Sequence, residues 1–208
     1  MEITWYGHAC FKIDTAEGSL VTDPYSPGSV PGLRLPALAA DRALCSHGHS
    51  DHSFAAGVTL SGREPELKIS LIPCFHDGER GRLRGENLIS VIDAEGLRLV
   101  HLGDLGHALS PEQLRALGNV DVLLLPVGGF YTIDANQAQA LCTALRPRIV
   151  VPMHYRSGAY GLSNVAPVED FLRLRTDVVH ANSASFDPKA QRAPVTLVLK
   201  PDESAQVK

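Results

Sequence analysis

His47-Gly48-His49-Ser50-Asp51-His52 follows directly on ALCS, residues 43–46, a short run with strand character. The six residues carry four side chains that can ligate a metal ion, and imidazoles seldom crowd in this way without a cation. A turn after a strand can direct two imidazoles to one side and the Asp51/His52 pair to the other, which favours two neighbouring cations over one. Imidazole and carboxylate ligands without a thiolate favour Zn²⁺ and leave Mn²⁺ and Fe as alternatives.

Three further polar residues follow apolar runs elsewhere in the chain. His76 comes after LIPCF, Asp104 after LRLVHLG, and His154 after RIVVPM. Functional sites of α/β proteins are built in the loops beyond strand ends, where rigid strands fix the loop geometry. We therefore expect His76, Asp104 and His154 to converge on the HGHSDH turn at one sheet edge.

The order of apolar runs predicts a change of architecture along the chain. ITWY, ACFKID and SLVTD open it as an antiparallel meander of short strands. Beyond residue 110, apolar strands VDVLLLPV and RIVVPMH alternate with helical segments, which is typical of an α/β arrangement. We expect a single domain over residues 1–208, with the polar tail from about residue 201 frayed.

Composition and charge narrow the class of protein. The chain has 208 residues, of which 44% are hydrophobic, enough to bury about two-thirds of the unfolded surface in one core. A formal net charge of −4 favours a small-molecule substrate over nucleic acid. The chain shows neither a leader pattern nor an apolar run of the about 18 residues that span a membrane. These features, with four scattered cysteines, predict a cytoplasmic protein, and they are compatible with a homo-oligomer.

A glycine-rich loop and an aromatic turn supply candidate substrate contacts. Arg80, Arg82 and Arg84 alternate along the loop at residues 77–87, where guanidinium groups are suited to binding a phosphate or carboxylate. A solvated charged loop is the simpler interpretation of the same pattern. Tyr131, in the turn after VDVLLLPV, is a candidate hydrogen-bond donor to substrate, with ordinary aromatic packing as the alternative.

Together the motifs HGHSDH, CFHD, HLGD and MHY resemble those of the metallo-β-lactamase superfamily. ITWYGHACFKI, VTDPY and VVPMHY are most similar to its branch of ascorbate-6-phosphate lactonase-like and other metal-dependent hydrolases. The resemblance implies an αββα sandwich, in which two mixed β-sheets pack face to face between outer helices. It also implies hydrolysis of a small ester-like substrate, a lactone or a phosphorylated metabolite, by a hydroxide that bridges two metal ions.

Position by position, the resemblance implies a role for each candidate. The implied ligands of one metal ion are His47, His49 and His76, and those of the other are Asp51, His52 and His154, with Asp104 bridging both. Asp51 is further implied to orient the nucleophile and move its proton, and His101 is a second catalytic candidate. Asp23 is implied to brace the HGHSDH turn through hydrogen bonds, and His8 is expected near the site.

Two other functions are compatible with the same residues. A metal pair can cleave phosphodiesters in RNA or a cyclic nucleotide, and salt-sensitive RNA binding through Arg80, Arg82 and Arg84 would favour that function. A non-hydrolytic di-iron redox protein or metal sensor would instead hold iron and hydrolyse nothing.

Overall fold

The structure, a computed structural model, describes residues 1–207. Its strands are β1 (Glu2–Trp5), β2 (Phe11–Thr15), β3 (Gly18–Thr22), β4 (Leu38–Ala40), β5 (Arg42–Leu44), β6 (Val58–Leu60), β7 (Lys68–Phe75), β8 (Glu86–Ala94), β9 (Leu97–His101), β10 (Val122–Pro126), β11 (Ile149–Met153), β12 (Val178–His180), β13 (Ser185–Phe186) and β14 (Val195–Val198). Its α-helices are α1 (Pro111–Leu117), α2 (Ala135–Leu145) and α3 (Glu169–Leu172). Short 3-10 turns lie at Ala55–Gly57, Pro188–Ala190 and Glu203–Ala205.

The strands form two large mixed sheets and one small one. The five-stranded sheet has the order β13-β1-β2-β3-β5, in which β1, β2 and β3 make the predicted antiparallel meander and β5 runs parallel to β3. The seven-stranded sheet has the order β12-β14-β11-β10-β9-β8-β7. The parallel pair β4-β6 forms a two-stranded sheet of its own.

Both large sheets pack on one hydrophobic core. Ile13 and Leu20 of the five-stranded sheet belong to the same buried cluster as Val100 and Leu123 of the seven-stranded sheet. The three α-helices add Leu117, Leu141 and Phe171 to this cluster. This arrangement confirms the predicted sandwich of two mixed sheets with helices.

Within the described residues, the face of the five-stranded sheet that points away from the main core is covered by a loop and a small sheet, and not by a helix. Val21, next to Leu20 in β3, points away from the main core because side chains alternate along a strand. It packs in a second buried cluster with Tyr25, Val30 and Val58. Among residues 1–207, the loop at 24–37 and the β4-β6 pair therefore form the outer layer here, where the αββα prediction placed a helix.

Helices α1 and α2 begin at capping boxes whose N-cap residues are Ser110 and Asp134. In each case the N-cap side chain accepts a hydrogen bond from the backbone N–H three residues later. The side-chain oxygen of Gln113 or Gln137 accepts the N-cap backbone N–H in return. A cap of this kind contributes about 1 kcal/mol to stability. No α-helix within residues 1–207 combines the length and apolarity needed to cross a bilayer.

The C-terminal segment is docked, so the prediction of a frayed tail is wrong for residues 201–207. Pro201 and Ala205 are buried. The Arg34 backbone N–H donates to the Ala205 carbonyl at 2.8 Å, and the Val207 N–H donates to the Gly32 carbonyl at 3.2 Å. Both contacts are made to the loop at 24–37. The polar composition of the tail does not predict them, because they depend on where this distant loop lies.

Candidate metal centre

Strand direction brings three of the predicted ligands to one edge of the seven-stranded sheet. β9, β10 and β11 are parallel, and β7 runs with them because β8 is antiparallel to both of its neighbours. His76, Asp104 and His154 each follow the carboxyl end of one of these strands. They meet there, as the sequence predicts.

The five-stranded sheet presents its own strand ends to the same place. β1, β3 and β5 run in one direction. His8 follows β1, Asp23 follows β3, and the HGHSDH turn follows β5. The edges of the two sheets thus supply facing halves of one cluster.

The side chains of this cluster form three overlapping groups. Within each group, one potential ligand atom per residue lies within 4.8 Å of all the others. The groups are His47, His49 and His76; His8, Asp51, His52 and His154; and His47, His52 and Asp104. The two ligand sets implied by the resemblance are each brought together, and His8 joins the second set more closely than expected.

Asp104 lies between the two sets. Its Oδ1 is 3.3 Å from Nε2 of His52, and its Oδ2 is 3.2 Å from Nε2 of both His76 and His154. A carboxylate shared by two metal ions would have to lie between their two ligand sets, as Asp104 does. The carboxylate is buried, with 1% of the residue exposed.

Several buried atoms of the cluster have no hydrogen-bond partner among residues 1–207. They are His47 Nε2, His52 Nε2, both ring nitrogens of His154, and Asp104 Oδ1. A buried polar group left unsatisfied costs about 1–3 kcal/mol. His52 Nε2 lies 3.3 Å from Asp104 Oδ1, and His154 Nε2 lies 3.2 Å from Asp104 Oδ2, without hydrogen-bond geometry. Cations placed among these atoms would satisfy them together, so the donor set fits divalent metal ions.

Hydrogen bonds to the far ring nitrogens orient the imidazoles. The Nδ1 of His52 donates to Asp23 Oδ2 at 2.8 Å, and the Nδ1 of His76 donates to the Tyr131 carbonyl at 3.1 Å. Ser46 Oγ donates to Asp23 at 2.6 Å, so its oxygen is free to accept from His47 Nδ1 at 3.0 Å. In all three residues the Nε2 lone pair is left facing the cluster, as a metal ligand requires.

Asp23 holds the start of the HGHSDH turn in place. It is buried, and its Oδ1 accepts the Ser46 backbone N–H at 2.7 Å in addition to the bonds at Oδ2. The structure thus places Asp23 where a bracing role requires it. Asp23, His8 and His154 all adopt left-handed backbone conformations, with φ of 43°, 52° and 53°. Such strain costs roughly 1–3 kcal/mol per residue and is concentrated at functional sites.

Asn87 is a site residue that the sequence did not reveal. It is fully buried in β8, its Oδ1 accepts the Asp104 backbone N–H at 2.9 Å, and its Nδ2 donates to the Leu102 carbonyl at 2.9 Å. The turn between them needs Gly103, whose φ is +54° and where a Cβ would collide with Asn87 Oδ1. A lone asparagine at the start of an apolar strand was the only signal for this contact.

The structure corrects the catalytic interpretation of His101. The ring is buried, its Nε2 donates to the Ala9 carbonyl at 2.8 Å, and its Nδ1 accepts the Gly103 N–H at 3.1 Å. Burial lowers its pKa. With both nitrogens committed to backbone, His101 cannot exchange a proton with substrate, and it instead ties the turn after His8 to the turn before Asp104.

A cavity of about 380 Å³ opens onto the cluster. Its lining comprises Ser29, His49, Ser50, Asp51, His76, Arg84, Asp104, Tyr131 and Leu162. Arg84 and Tyr131 thus lie where substrate contacts were predicted. Arg80 and Arg82 do not line the cavity: both are exposed, and Arg82 pairs with Glu79 at 3.4 Å. Their predicted role in substrate binding is therefore corrected.

Charges within the cluster raise the pKa of one residue and lower that of another. Burial lowers the pKa of His52, but the carboxylates of Asp104 and Asp23 on either side outweigh it and raise that pKa well above 6.5. Burial raises the pKa of Asp51, but the hydrogen bond from His8 at 3.2 Å and the nearby His52 bring it below the ordinary 3.8. Asp51 is therefore ionised at neutral pH.

The metal-free protein is expected to lose stability as the pH falls from 6.5 towards 4. Burial lowers the pKa of His8 to about 4 and that of His47 to about 3, so the unfolded chain takes up these protons first. The stability that neutral His8 and His47 contribute is complete above pH 6.5. Below that pH it declines by up to about 1.4 kcal/mol per pH unit for each histidine. His52 acts oppositely, because its contribution is complete below pH 6.5 and is lost only as the pH rises through its folded value.

Urea unfolding in EDTA at several pH values between 7 and 4.5 measures this dependence. His8→Asn should make it shallower by removing one of the contributing histidines. An unfolding free energy that stays constant across this range would contradict the assignment of neutral, buried imidazoles.

Comparison with known proteins identifies relatives of this chain. The family model described as the beta-lactamase superfamily domain matches residues 2–154. A metal-dependent hydrolase of the UPF0173 family from Opitutus terrae is 32% identical over 201 residues, covering 76% of this chain and 86% of the relative. A UPF0173 metal-dependent hydrolase of Thermoplasma acidophilum is 28% identical over 189 residues, covering 76% and 84%.

A solved structure extends the similarity to the fold. A Thermotoga maritima protein, assigned to the metallo-β-lactamase superfamily as a candidate Zn-dependent hydrolase, superimposes with a TM-score of 0.73 at 30% identity. The match covers 96% of this chain and 99% of that one. The chain belongs to the metallo-β-lactamase superfamily.

Proposed function

We propose that this protein is a metal-dependent hydrolase that holds two divalent cations, Zn²⁺ in the first instance, and cleaves a small ester-like substrate such as a lactone or a phosphorylated metabolite. The observation that carries the proposal is the set of buried, unpartnered nitrogen and oxygen atoms at the strand ends. The UPF0173 relatives are named metal-dependent hydrolases, which supports the same reaction class.

The proposed ligand sets are those that the cluster brings together. His47, His49 and His76 would hold one cation, and Asp51, His52 and His154 the other, with Asp104 shared between them. When bound, the cations supply Lewis acidity and a nucleophile at neutral pH. Cavity size and the acidic net charge favour a small molecule over RNA as the substrate.

Asp51 is the proposed proton carrier. Its ionised carboxylate lines the cavity and can accept a proton from the attacking group and return it to the leaving group. His8, buried beneath it, fixes Oδ2 through the 3.2 Å hydrogen bond and so acts as a positioning residue. Tyr131 holds His76 through its carbonyl while its ring faces the cavity.

Metal analysis combined with a substrate panel tests the proposal. The purified protein is expected to contain about two metal ions per chain and to hydrolyse at least one of a lactone, a phosphodiester and a thioester series. His49→Ala should lose one ion and lower kcat/KM by at least about 100-fold, since a metal ligand is removed. Arg82→Ala, outside the cavity, is the matched control and should keep both.

The alternatives give different results in the same experiment. Turnover confined to the phosphodiesters, with salt-sensitive RNA binding, would replace the ester substrate with a nuclease function. Bound iron without hydrolysis of any substrate would indicate a redox or sensor protein. A fully active, metal-loaded His49→Ala protein would refute the proposed ligand set.

A further inference from the structure

Arg84 carries a charge that the surrounding protein leaves unpaired. The side chain is half-buried and lines the cavity beside His76 and Asp104. Its guanidinium carbon lies 5.5 Å from the ring centre of Tyr131 and 6.0 Å from that of Phe130. Across residues 1–207, the guanidinium group makes neither an ion pair nor a hydrogen bond.

The backbone that presents Arg84 is firmly held. Asp77 is buried, and its carboxylate accepts four backbone N–H groups of the following loop at 2.7–3.0 Å, including that of Arg84 at 2.8 Å. A loop organised in this way differs from the solvated charged loop that its composition suggested. The orientation of Arg84 towards the cavity is therefore built into the loop.

The aromatic partners of Arg84 are also anchored. The Tyr131 carbonyl accepts from His76, and its hydroxyl accepts from Asn164 Nδ2 at 3.1 Å. Phe130 packs edge-on against Tyr131, with ring centres 4.7 Å apart. Aromatic faces stabilise a guanidinium group without occupying its N–H donors. The donors of Arg84 thus remain available to a ligand in the cavity.

The charges around the cavity favour an anion there. Asp51 and Asp104 are the acidic residues of its lining, and both are directed at the histidine cluster. Two divalent cations at the cluster would exceed the charge of these two carboxylates, and Arg84 adds a further positive charge. With two such cations bound, the cavity would be cationic in a chain whose net charge is −4.

We propose that Arg84 binds an anionic group of the substrate, a carboxylate or a phosphate, while the scissile bond lies against the metal cluster. This inference rests on the proposed hydrolase function and narrows its substrate class to small esters that carry a free anionic group. The planar guanidinium suits such a group because it presents paired N–H donors. Tyr131 and Phe130 position Arg84 for this contact.

A matched pair of esters tests the inference through turnover. The acid is mono-4-nitrophenyl adipate, and the neutral comparator is its methyl ester, which differs only at the distal carboxylate. Arg84→Ala should lower kcat/KM for the acid by about 10- to 100-fold, as expected for one charge-assisted contact. It should change kcat/KM for the methyl ester by less than about 3-fold, and Arg84→Lys should fall between wild type and Arg84→Ala. Arg82→Ala should leave both values unchanged.

Ligand binding tests the inference without turnover. Calorimetry on the Zn²⁺-loaded protein should show that adipate binds more tightly than hexanoate, and Arg84→Ala should remove this difference. Replacing adipate with 5-phosphonopentanoate distinguishes a preference for phosphate from one for carboxylate. If adipate keeps its advantage over hexanoate in Arg84→Ala, the anion site is refuted. If the advantage depends on Arg84 while neither ester is hydrolysed, the hydrolase function fails and the anion site stands.

Discussion

Asp104→Asn is expected to lower kcat/KM by at least about 1000-fold and to leave the protein with less than one metal ion per chain. The carboxylate stands within 3.3 Å of the Nε2 atoms of His52, His76 and His154, so it contacts members of both proposed ligand sets. An amide has similar shape but lacks the charge and one of the two acceptor oxygens. The substitution therefore removes a charge and an acceptor from the position between the two proposed ligand sets.

Elemental analysis after dialysis, together with kcat/KM on the best ester of the panel, measures both effects. The matched control is Asp93→Asn, a carboxylate that pairs with Arg98 near the end of β8 opposite to Asn87. It should retain metal and activity. Thermal unfolding of both variants in EDTA separates a loss of metal from a loss of fold. An Asp104→Asn protein that holds two ions would contradict the bridging position.

The members of the cluster could be predicted from the sequence because they follow closely on strands. The apolar runs before His76, Asp104 and His154 predict strands, and parallel strands put their carboxyl ends at one sheet edge. The HGHSDH turn needed no tertiary information, because its four ligand groups are neighbours in the chain. The meander and the mixed sheets followed from the same runs.

The remaining features depend on contacts between distant segments. Asn87 in β8 reaches Asp104 in the turn after β9, and His101 reaches Ala9 in the turn between β1 and β2, 92 residues away in the chain. Arg82 and Arg84 are the same residue type in the same loop, and only the folded loop, in which Asp77 accepts the Arg84 N–H, leaves Arg82 exposed and places Arg84 at the cavity. Side-chain direction in a loop is set by tertiary contacts, so no periodicity encodes it.

Asp23→Asn is expected to weaken metal binding by about 10- to 100-fold, although Asp23 is not a proposed ligand. Its Oδ1 accepts the Ser46 N–H, and its Oδ2 accepts both the Ser46 hydroxyl and the His52 Nδ1. An asparagine offers one oxygen, so its amide N–H₂ must face at least one of these donors. If it faces His52, the imidazole loses the bond that keeps Nε2 directed at the cluster.

Competition with a chelator of known Zn²⁺ affinity measures the weakening, and Ser46→Ala provides the graded comparison. That variant keeps the carboxylate on His52 but removes the hydroxyl's hydrogen bonds to Asp23 and to His47 Nδ1, so it should weaken binding through His47 alone, by less than about 10-fold. Equal losses in the two variants would indicate that the turn at Ser46, and not the orientation of His52, controls the metal affinity. Wild-type affinity in Asp23→Asn would show that the cluster holds His52 in place without its buried carboxylate, and the link from β3 to the metal centre would then be structural alone.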